Sequence, residues 1–202
     1  MTAGKRLFDI VLALVLCLPV LPVLLVLLVL MWASEGRPLF YISERMRAPG
    51  QGFWLIKLRT MRVVAADSGV SGGDKQDRIT PLGRFLRRSR LDELPQLWNI
   101  LRGDISFVGP RPPLRRYVVQ FPALYAEVLA SRPGVTGLAT LVFHGFEERL
   151  LARCKTPQET EAAYVRVCIP RKASLDLIYQ RNRSICLDLW LIGKTMAKIV
   201  GR

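Results

Sequence analysis

A chain of 202 residues holds one domain with a usable core and at most one added element, so no second soluble domain is expected. Thirty Lys and Arg against sixteen Asp and Glu leave a formal net charge of +14, which implies an anionic partner: nucleic acid, anionic lipid head groups or nucleotide phosphates. Cys17, Cys154, Cys168 and Cys186 show no C-x-x-C spacing, which argues against a zinc site or a disulfide framework, and the lone His144 removes most histidine-based mechanisms.

The first element is an apolar run from Ile10 to Ala33 that carries no charged residue. As a helix it would reach about 36 Å, enough to span a bilayer. Pro19 and Pro22 fall in its middle, and each deletes a backbone donor and clashes with the preceding turn, so the helix is predicted to bend or break there. Basic residues flank both ends: Lys5 and Arg6 before, Arg37, Arg45, Arg47, Lys57, Arg59 and Arg62 after. A span would violate the positive-inside tendency at one end, whereas a hairpin entering and leaving on the cytoplasmic face satisfies it. A cleaved signal peptide fits poorly, because the run is long and lacks a small-residue cleavage pattern. Kinked span and re-entrant hairpin both stay open on these residues, and either holds the chain in a membrane.

Leu39 to Ile42 and Phe53 to Lys57 then cluster β-formers around Ala48-Pro49-Gly50-Gln51-Gly52, a hairpin signal. Residues 66 to 77 are polar and glycine-rich and read as a mobile loop bordering a site. Helical periodicity from Leu82 to Leu101 gives an apolar stripe beside an arginine face, with Arg102-Gly103 as the stop. Inside it lie Asp92 and Glu93, framed by Arg84, Arg87, Arg88 and Arg90. Carboxylates among guanidinium groups are expected to stay ionised with depressed pKa, which suits a nucleophile or a metal ligand working on a phosphate. The structural alternative is that Asp92 N-caps a helix with Pro95 in its first turn.

Gly109-Pro110-Arg111-Pro112-Pro113 is a proline-stiffened loop around one cation, able to present Arg111 to a phosphate at small entropic cost. Arg132-Pro133-Gly134-Val135-Thr136-Gly137 is turn-rich with one arginine, a weak signal alone. Glu147-Glu148 and Glu159 to Glu161 read as solvated faces, and Leu187 to Val200, with Trp190, Lys194 and Lys198, as an interfacial or core-facing helix. The fold class expected is α+β, predominantly α-helical: a membrane-anchoring helix over residues 1–33 and a cytoplasm-facing core over 34–202 with a small β-hairpin and amphipathic interfacial helices.

These segments resemble the bacterial sugar transferase family, the small monotopic phosphoglycosyl transferases. The resemblance rests on Lys5-Arg6-Leu7-Phe8-Asp9, Lys57-Leu58-Arg59-Thr60-Met61, Leu91-Asp92-Glu93-Leu94-Pro95-Gln96-Leu97, Gly103-Asp104-Ile105-Ser106-Phe107-Val108-Gly109-Pro110-Arg111-Pro112, Arg132-Pro133-Gly134-Val135-Thr136-Gly137-Leu138 and Leu187-Asp188-Leu189, in that order. It implies a re-entrant anchor at the inner face of the bacterial inner membrane and transfer of a sugar 1-phosphate from a UDP-sugar to undecaprenyl phosphate, releasing UMP. It further implies that Asp92 is the nucleophile, that Glu93 supports it, that Mg²⁺ held by Asp92 acts with Arg59, Arg87 and Arg111 on the diphosphate, and that Arg132 contacts the nucleotide. The chain departs from the family's pattern at Leu21 before Pro22, where a serine is usual, and at Thr140 to Gly145, which leaves the sugar open. A rival of another class is a non-enzymatic, membrane-anchored basic adaptor for anionic lipid or nucleic acid; with no stacking platform, nucleic acid is its weaker form. No residue pattern sets an oligomeric state.

Overall fold

The computed structural model describes residues 2–64, 69, 70 and 72–201. Helix α1 (Ala3–Glu35) starts earlier than the apolar run, because Thr2 caps it: its hydroxyl accepts from the Lys5 amide at 3.3 Å. It also runs through Pro19 and Pro22 as one helix, so of the bend or break that the sequence predicts there, the break does not occur. Each proline removes one ladder hydrogen bond, but the residues on either side keep theirs, and that suffices to carry the helix over both positions. Among the described residues it is the one helix long and apolar enough to cross a membrane.

Both ends of α1 are fastened to the same core. Near its start, Lys5 pairs with Asp188, Arg6 donates to the carbonyls of Ile100 and Leu101 at 2.5 and 2.6 Å, and Asp9 accepts from the Phe107 amide at 3.4 Å. Ala13 is buried with Phe53, Ile100 and Ile105. Near its end, Leu27 and Met31 pack with Leu58 and Leu86. Between these anchor points residues 14–26 include no buried side chain, and Leu18 is 78% exposed. An apolar surface of that size left to water would be costly, so the middle of α1 belongs in lipid.

The hairpin is longer than the sequence signals: β1 (Phe40–Ala48) and β2 (Gln51–Leu58) pair antiparallel around Pro49-Gly50, with a bulge next to the turn. Of the polar stretch 66–77, residues 66–68 and 71 lie outside the described residues; Gly73–Arg78 forms a 3₁₀ turn rather than a loop. The periodic stretch Leu82 to Leu101 is two helices, α2 (Pro81–Ser89) and α3 (Gln96–Arg102), separated by a 3₁₀ turn, Leu91–Glu93. The reason is local. Pro95 cannot donate to the Leu91 carbonyl, and Arg90 ends α2 in the left-handed region at φ 60° with its amide on the Arg87 carbonyl.

A second sheet, not signalled by the sequence, pairs β3 (Ser106–Val108) and β4 (Gly134–Thr136) in parallel. Between them run α4 (Arg115–Gln120) and α5 (Pro122–Val128). Helices α6 (Leu138–Leu151), α7 (Pro157–Ala163) and α8 (Ile169–Asn182) follow, with a π-helical segment, Tyr164–Cys168, between the last two. The main core forms where α4, α5, α6 and α8 meet, around Tyr117, Tyr125, Phe143 and Ile169. Helix α9 (Ile185–Val200) is half committed to that body: Asp188 and Leu191 are fully buried, while Leu189, Trp190 and Met196 are exposed.

Candidate active site

Three elements bring the site together. Asn99 on α3 is buried and accepts from the Ile56 amide at 3.1 Å while donating to the Trp54 carbonyl at 2.8 Å, which rivets α3 to β2. That places Lys57, one residue past the rivet, over the 3₁₀ turn that carries Asp92 and Glu93. From the other side comes the proline-stiffened loop. A side chain at Gly109 would stand 2.1 Å from the Arg132 carbonyl, so only glycine lets β3 and the 132–137 segment close together, with the Gly109 amide on the Thr136 carbonyl at 2.9 Å. The loop so fixed aims Arg111 at Glu93.

The two acids differ sharply. Glu93 Oε1 receives Lys57 Nζ at 2.6 Å and an Arg111 nitrogen at 3.1 Å, with an Arg90 nitrogen at 3.6 Å. Burial alone would raise its pKa, but Lys57, Arg111 and Arg90 outweigh it and hold the carboxyl well below the usual range. Asp92 is equally buried, yet its Oδ1 has no hydrogen-bond partner among the described residues. Burial pushes its pKa up, opposed chiefly by Lys57. The depressed pKa expected for both acids therefore holds for Glu93 alone: the cations close on its carboxylate and leave Asp92 Oδ1 without a hydrogen bond. The capping reading of Asp92 does not hold either, since α3 begins behind Pro95 with no side-chain cap.

The remaining sequence candidates divide. Arg87 lines the same cleft, its Nε donating to Thr60 Oγ1 at 2.8 Å. A close approach makes this possible: a Cβ at Gly83 would lie 2.1 Å from the Thr60 carbonyl. Arg59 also lines the cleft, but one terminal nitrogen is taken by the carbonyls of Glu35 and Gly36 at the end of α1. Arg132 is not brought to Asp92; it lies beside Gly103 and near Arg6 and Arg47, outside the cleft lining. Pro19 and Pro22 sit in the exposed middle of α1.

The cleft has a volume of about 640 Å³, and its described lining includes twelve Arg and Lys against five Asp and Glu, a field that favours a polyanion. Its far wall was not signalled by the sequence. On α6 the lining residues Thr140, His144, Glu147 and Leu151 recur at helical spacing, and on α8 Ile169, Lys172, Ala173 and Asp176 do the same. Glu147, expected on a solvated face, instead accepts from Lys172 Nζ at 2.9 and 3.2 Å through its two oxygens. Lys172 also lies 3.5 Å from the Tyr164 hydroxyl. The sequence does place Thr140, His144 and Glu147, and Lys172 and Asp176, at helical spacing on one face each, but nothing local says that the two faces meet.

Among the described residues no cluster of three His, Cys, Asp or Glu side chains could cage a metal. Magnesium, however, commonly takes one or two carboxylates and completes its shell with water and substrate phosphate. The partnerless Asp92 Oδ1 is a donor of that kind, so the residues present fit such an ion.

Comparison with known proteins gives the same direction. The family model described as bacterial sugar transferase matches residues 1–202. The UDP-glucose:undecaprenyl-phosphate glucose-1-phosphate transferase of Xanthomonas campestris pv. campestris is 35% identical over 175 residues, 84% of this chain and 33% of that protein. The UDP-N-acetylgalactosamine-undecaprenyl-phosphate N-acetylgalactosaminephosphotransferase of Aeromonas hydrophila is 32% identical over 203 residues, 97% of this chain and 43% of that one. The exopolysaccharide production protein ExoY of Sinorhizobium fredii (strain NBRC 101917 / NGR234) is 31% identical over 212 residues, 97% of this chain and 85% of its own length. The chain thus spans less than half the length of the first two. With the whole chain matched and its Asp-Glu turn, lysine and arginines gathered at one cleft, it belongs to the bacterial sugar transferase family.

Proposed function

We propose that this protein transfers a sugar 1-phosphate from a UDP-sugar to undecaprenyl phosphate, through a covalent intermediate on Asp92, at the cytoplasmic face of the bacterial inner membrane. One observation carries the reading: of two adjacent buried acids facing a cation-lined cleft, Glu93 is saturated with cations and Asp92 Oδ1 is left without a partner. A desolvated carboxylate oxygen with no hydrogen bond is a strong nucleophile once ionised. Its oxygen attacks the phosphorus bearing the sugar, the bond from that phosphorus to the bridging oxygen breaks, and UMP leaves with the electron pair. An oxygen of the lipid phosphate then attacks the same phosphorus, and the acyl-phosphate bond breaks to restore the Asp92 carboxylate.

The approach of one anion to another requires its repulsion to be cancelled. Lys57, Arg90 and Arg111 are held around Glu93 before any substrate arrives, so their field costs no reorganisation during reaction. Glu93 is then a positioning residue that keeps three cations aimed at the cleft. Magnesium, when bound, would be held by Asp92 and would supply further neutralisation of the phosphate oxygens.

The two tethers of α1 support a monotopic anchor. Lys5 and Arg6 at one end and Leu27 and Met31 at the other fasten to one core, which fits both ends lying on one side of the bilayer with the middle dipping into it. Residues 1–33 then anchor and 34–202 catalyse. The relatives' names give the donor and acceptor classes but differ in the sugar, glucose in one and N-acetylgalactosamine in another.

The test is UMP release from UDP-sugars with and without undecaprenyl phosphate, followed by mass spectrometry of protein incubated with donor alone. A phosphosugar adduct on Asp92, absent in Asp92→Asn, is expected. An adduct on another residue would overturn the assignment, and lipid binding without UMP release would leave an adaptor.

A further inference from the structure

The cleft around Asp92 has two chemically different walls. One is basic, formed by the Asp92 turn, α2 and the Arg111 loop. The other, from α6, α8 and the π-helical segment, carries Glu147, Glu148 and Asp176, three of the five acids in the described lining. We propose that this second wall, through Glu147, Lys172, Tyr164 and Asp176, is the subsite that binds the hydroxyl-bearing sugar of the donor and sets which sugar is transferred. The proposal rests on the transferase reading above and deepens it.

Charge decides which part of the donor meets which wall. Carboxylates repel phosphate, so the diphosphate lies against the basic wall and the acidic one is left to a neutral moiety. Two neutral moieties are available, sugar and uridine. The sugar is bonded to the phosphorus that Asp92 attacks and stays with it, so it must occupy space directly next to that residue. Its hydroxyls are donors that match carboxylate acceptors, whereas uracil offers one N–H between two carbonyls and would place acceptors against acceptors.

The wall is built in advance. Glu147 holds Lys172 through both oxygens, at 2.9 and 3.2 Å, and the Tyr164 hydroxyl lies 3.5 Å from the same ammonium. An ion pair fixed in this way presents donor and acceptor side by side with little rotamer entropy left to lose. Tyr164 begins a π-helical segment, a distortion often placed where a helix must aim a side chain. Asp176 is the most telling residue. It is 6% exposed, lines the cleft and lies in the field of Lys172. Burying a carboxyl is expensive, and a sugar hydroxyl would offset part of that cost with a hydrogen bond. Burial pushes its pKa up to about 7, so near neutrality it can accept or donate.

The test uses the full chain in phospholipid vesicles containing undecaprenyl phosphate. UMP release is measured with a panel of UDP-hexoses and UDP-N-acetylhexosamines for wild type, Asp176→Asn and the double variant Glu147→Gln/Lys172→Met, which removes the ion pair without stranding a charge. The ratio of kcat/KM between best and worst donor should fall by about tenfold or more, the loss of one charge-assisted hydrogen bond. Inhibition by UMP and the KM for undecaprenyl phosphate should stay within about twofold of wild type. An equal loss on every donor, with weaker UMP inhibition by the same factor, would give the wall to the nucleotide and overturn the proposal. Unchanged selectivity in both variants would overturn it as well. No UMP release by wild type from any donor would instead sink the transferase reading, and the subsite with it.

Discussion

Replacing Glu93 by Gln tests whether one carboxylate organises the cations of the cleft. Gln keeps the shape and one acceptor but removes the charge, so the bonds from Lys57 at 2.6 Å and Arg111 at 3.1 Å lose their charge assistance. Each such change is worth about 1 kcal/mol, and breaking a buried ion pair costs roughly 3 to 5 kcal/mol in total. Glu93 and Lys57 are largely buried, but the Arg111 side chain is 37% exposed and solvent screens its share, which favours the lower end, about 3 kcal/mol. At about 2 to 4 °C per kcal/mol for a chain of this size, Tm should fall by roughly 6 to 12 °C. Thermal unfolding followed by intrinsic fluorescence in detergent micelles reads this directly. Inorganic phosphate should recover part of the loss, since an anion can take the vacated place among three cations. Glu44→Gln, which breaks the exposed Glu44 and Arg115 pair, is the control and should leave Tm close to wild type. A Glu93→Gln protein melting within about 2 °C of wild type would show that the cations do not depend on this carboxylate, and the organising role would fall.

Asp92→Asn should abolish turnover yet leave Tm unchanged or slightly raised, because the carboxylate oxygen it removes satisfies no partner; a large drop in Tm would make Asp92 a structural residue. Asp176, which faces Lys172 and Tyr125, has its pKa raised by burial to about 7, so the folded state holds the proton longer than the unfolded chain. Stability should therefore decline as pH rises from about 4 to about 7, by an amount on the order of 4 kcal/mol, and Asp176→Asn should flatten that decline in a pH series of melting curves. Asn99→Leu should cost about 2 to 4 kcal/mol, since it strands the Ile56 amide and the Trp54 carbonyl, and hydrogen exchange at β2 should rise; unchanged protection there would refute the rivet. Replacing both Pro19 and Pro22 by Leu restores two ladder bonds and should bias α1 toward a span, moving a cysteine placed at position 2 out of reach of a cytoplasmic label; a cysteine there already labelled from the far side in the otherwise unaltered chain would refute the monotopic anchor.

The sequence by itself determined the features whose causes are local. An apolar run from Ile10 to Ala33 has no stable home in water, the turn at Pro49-Gly50 reverses the chain between two β-rich segments, and Asp92 with Glu93 among arginines marks an anion site wherever it folds. Even the split of α2 from α3 was available locally, because Pro95 forbids the bond a continuous helix needs, though the unbroken apolar period concealed it. Tertiary structure decided everything that depends on partners distant in the chain. Two neighbouring acids look alike in sequence, but Lys57 and Arg111 approach from β2 and from the loop after β3 and hydrogen-bond to Glu93, so one carboxylate is paired and Asp92 Oδ1 is left without a hydrogen bond. Arg59 and Arg132 read as equal cations, yet one is partly taken up by the end of α1 and the other lies outside the cleft. Glu147 looked solvated until α8 set Lys172 against it. Hydropathy and turn chemistry act over a few residues and are written along the chain, whereas the ionisation and pairing of a buried charge depend on which groups the fold brings within a few ångströms, and no local pattern records that.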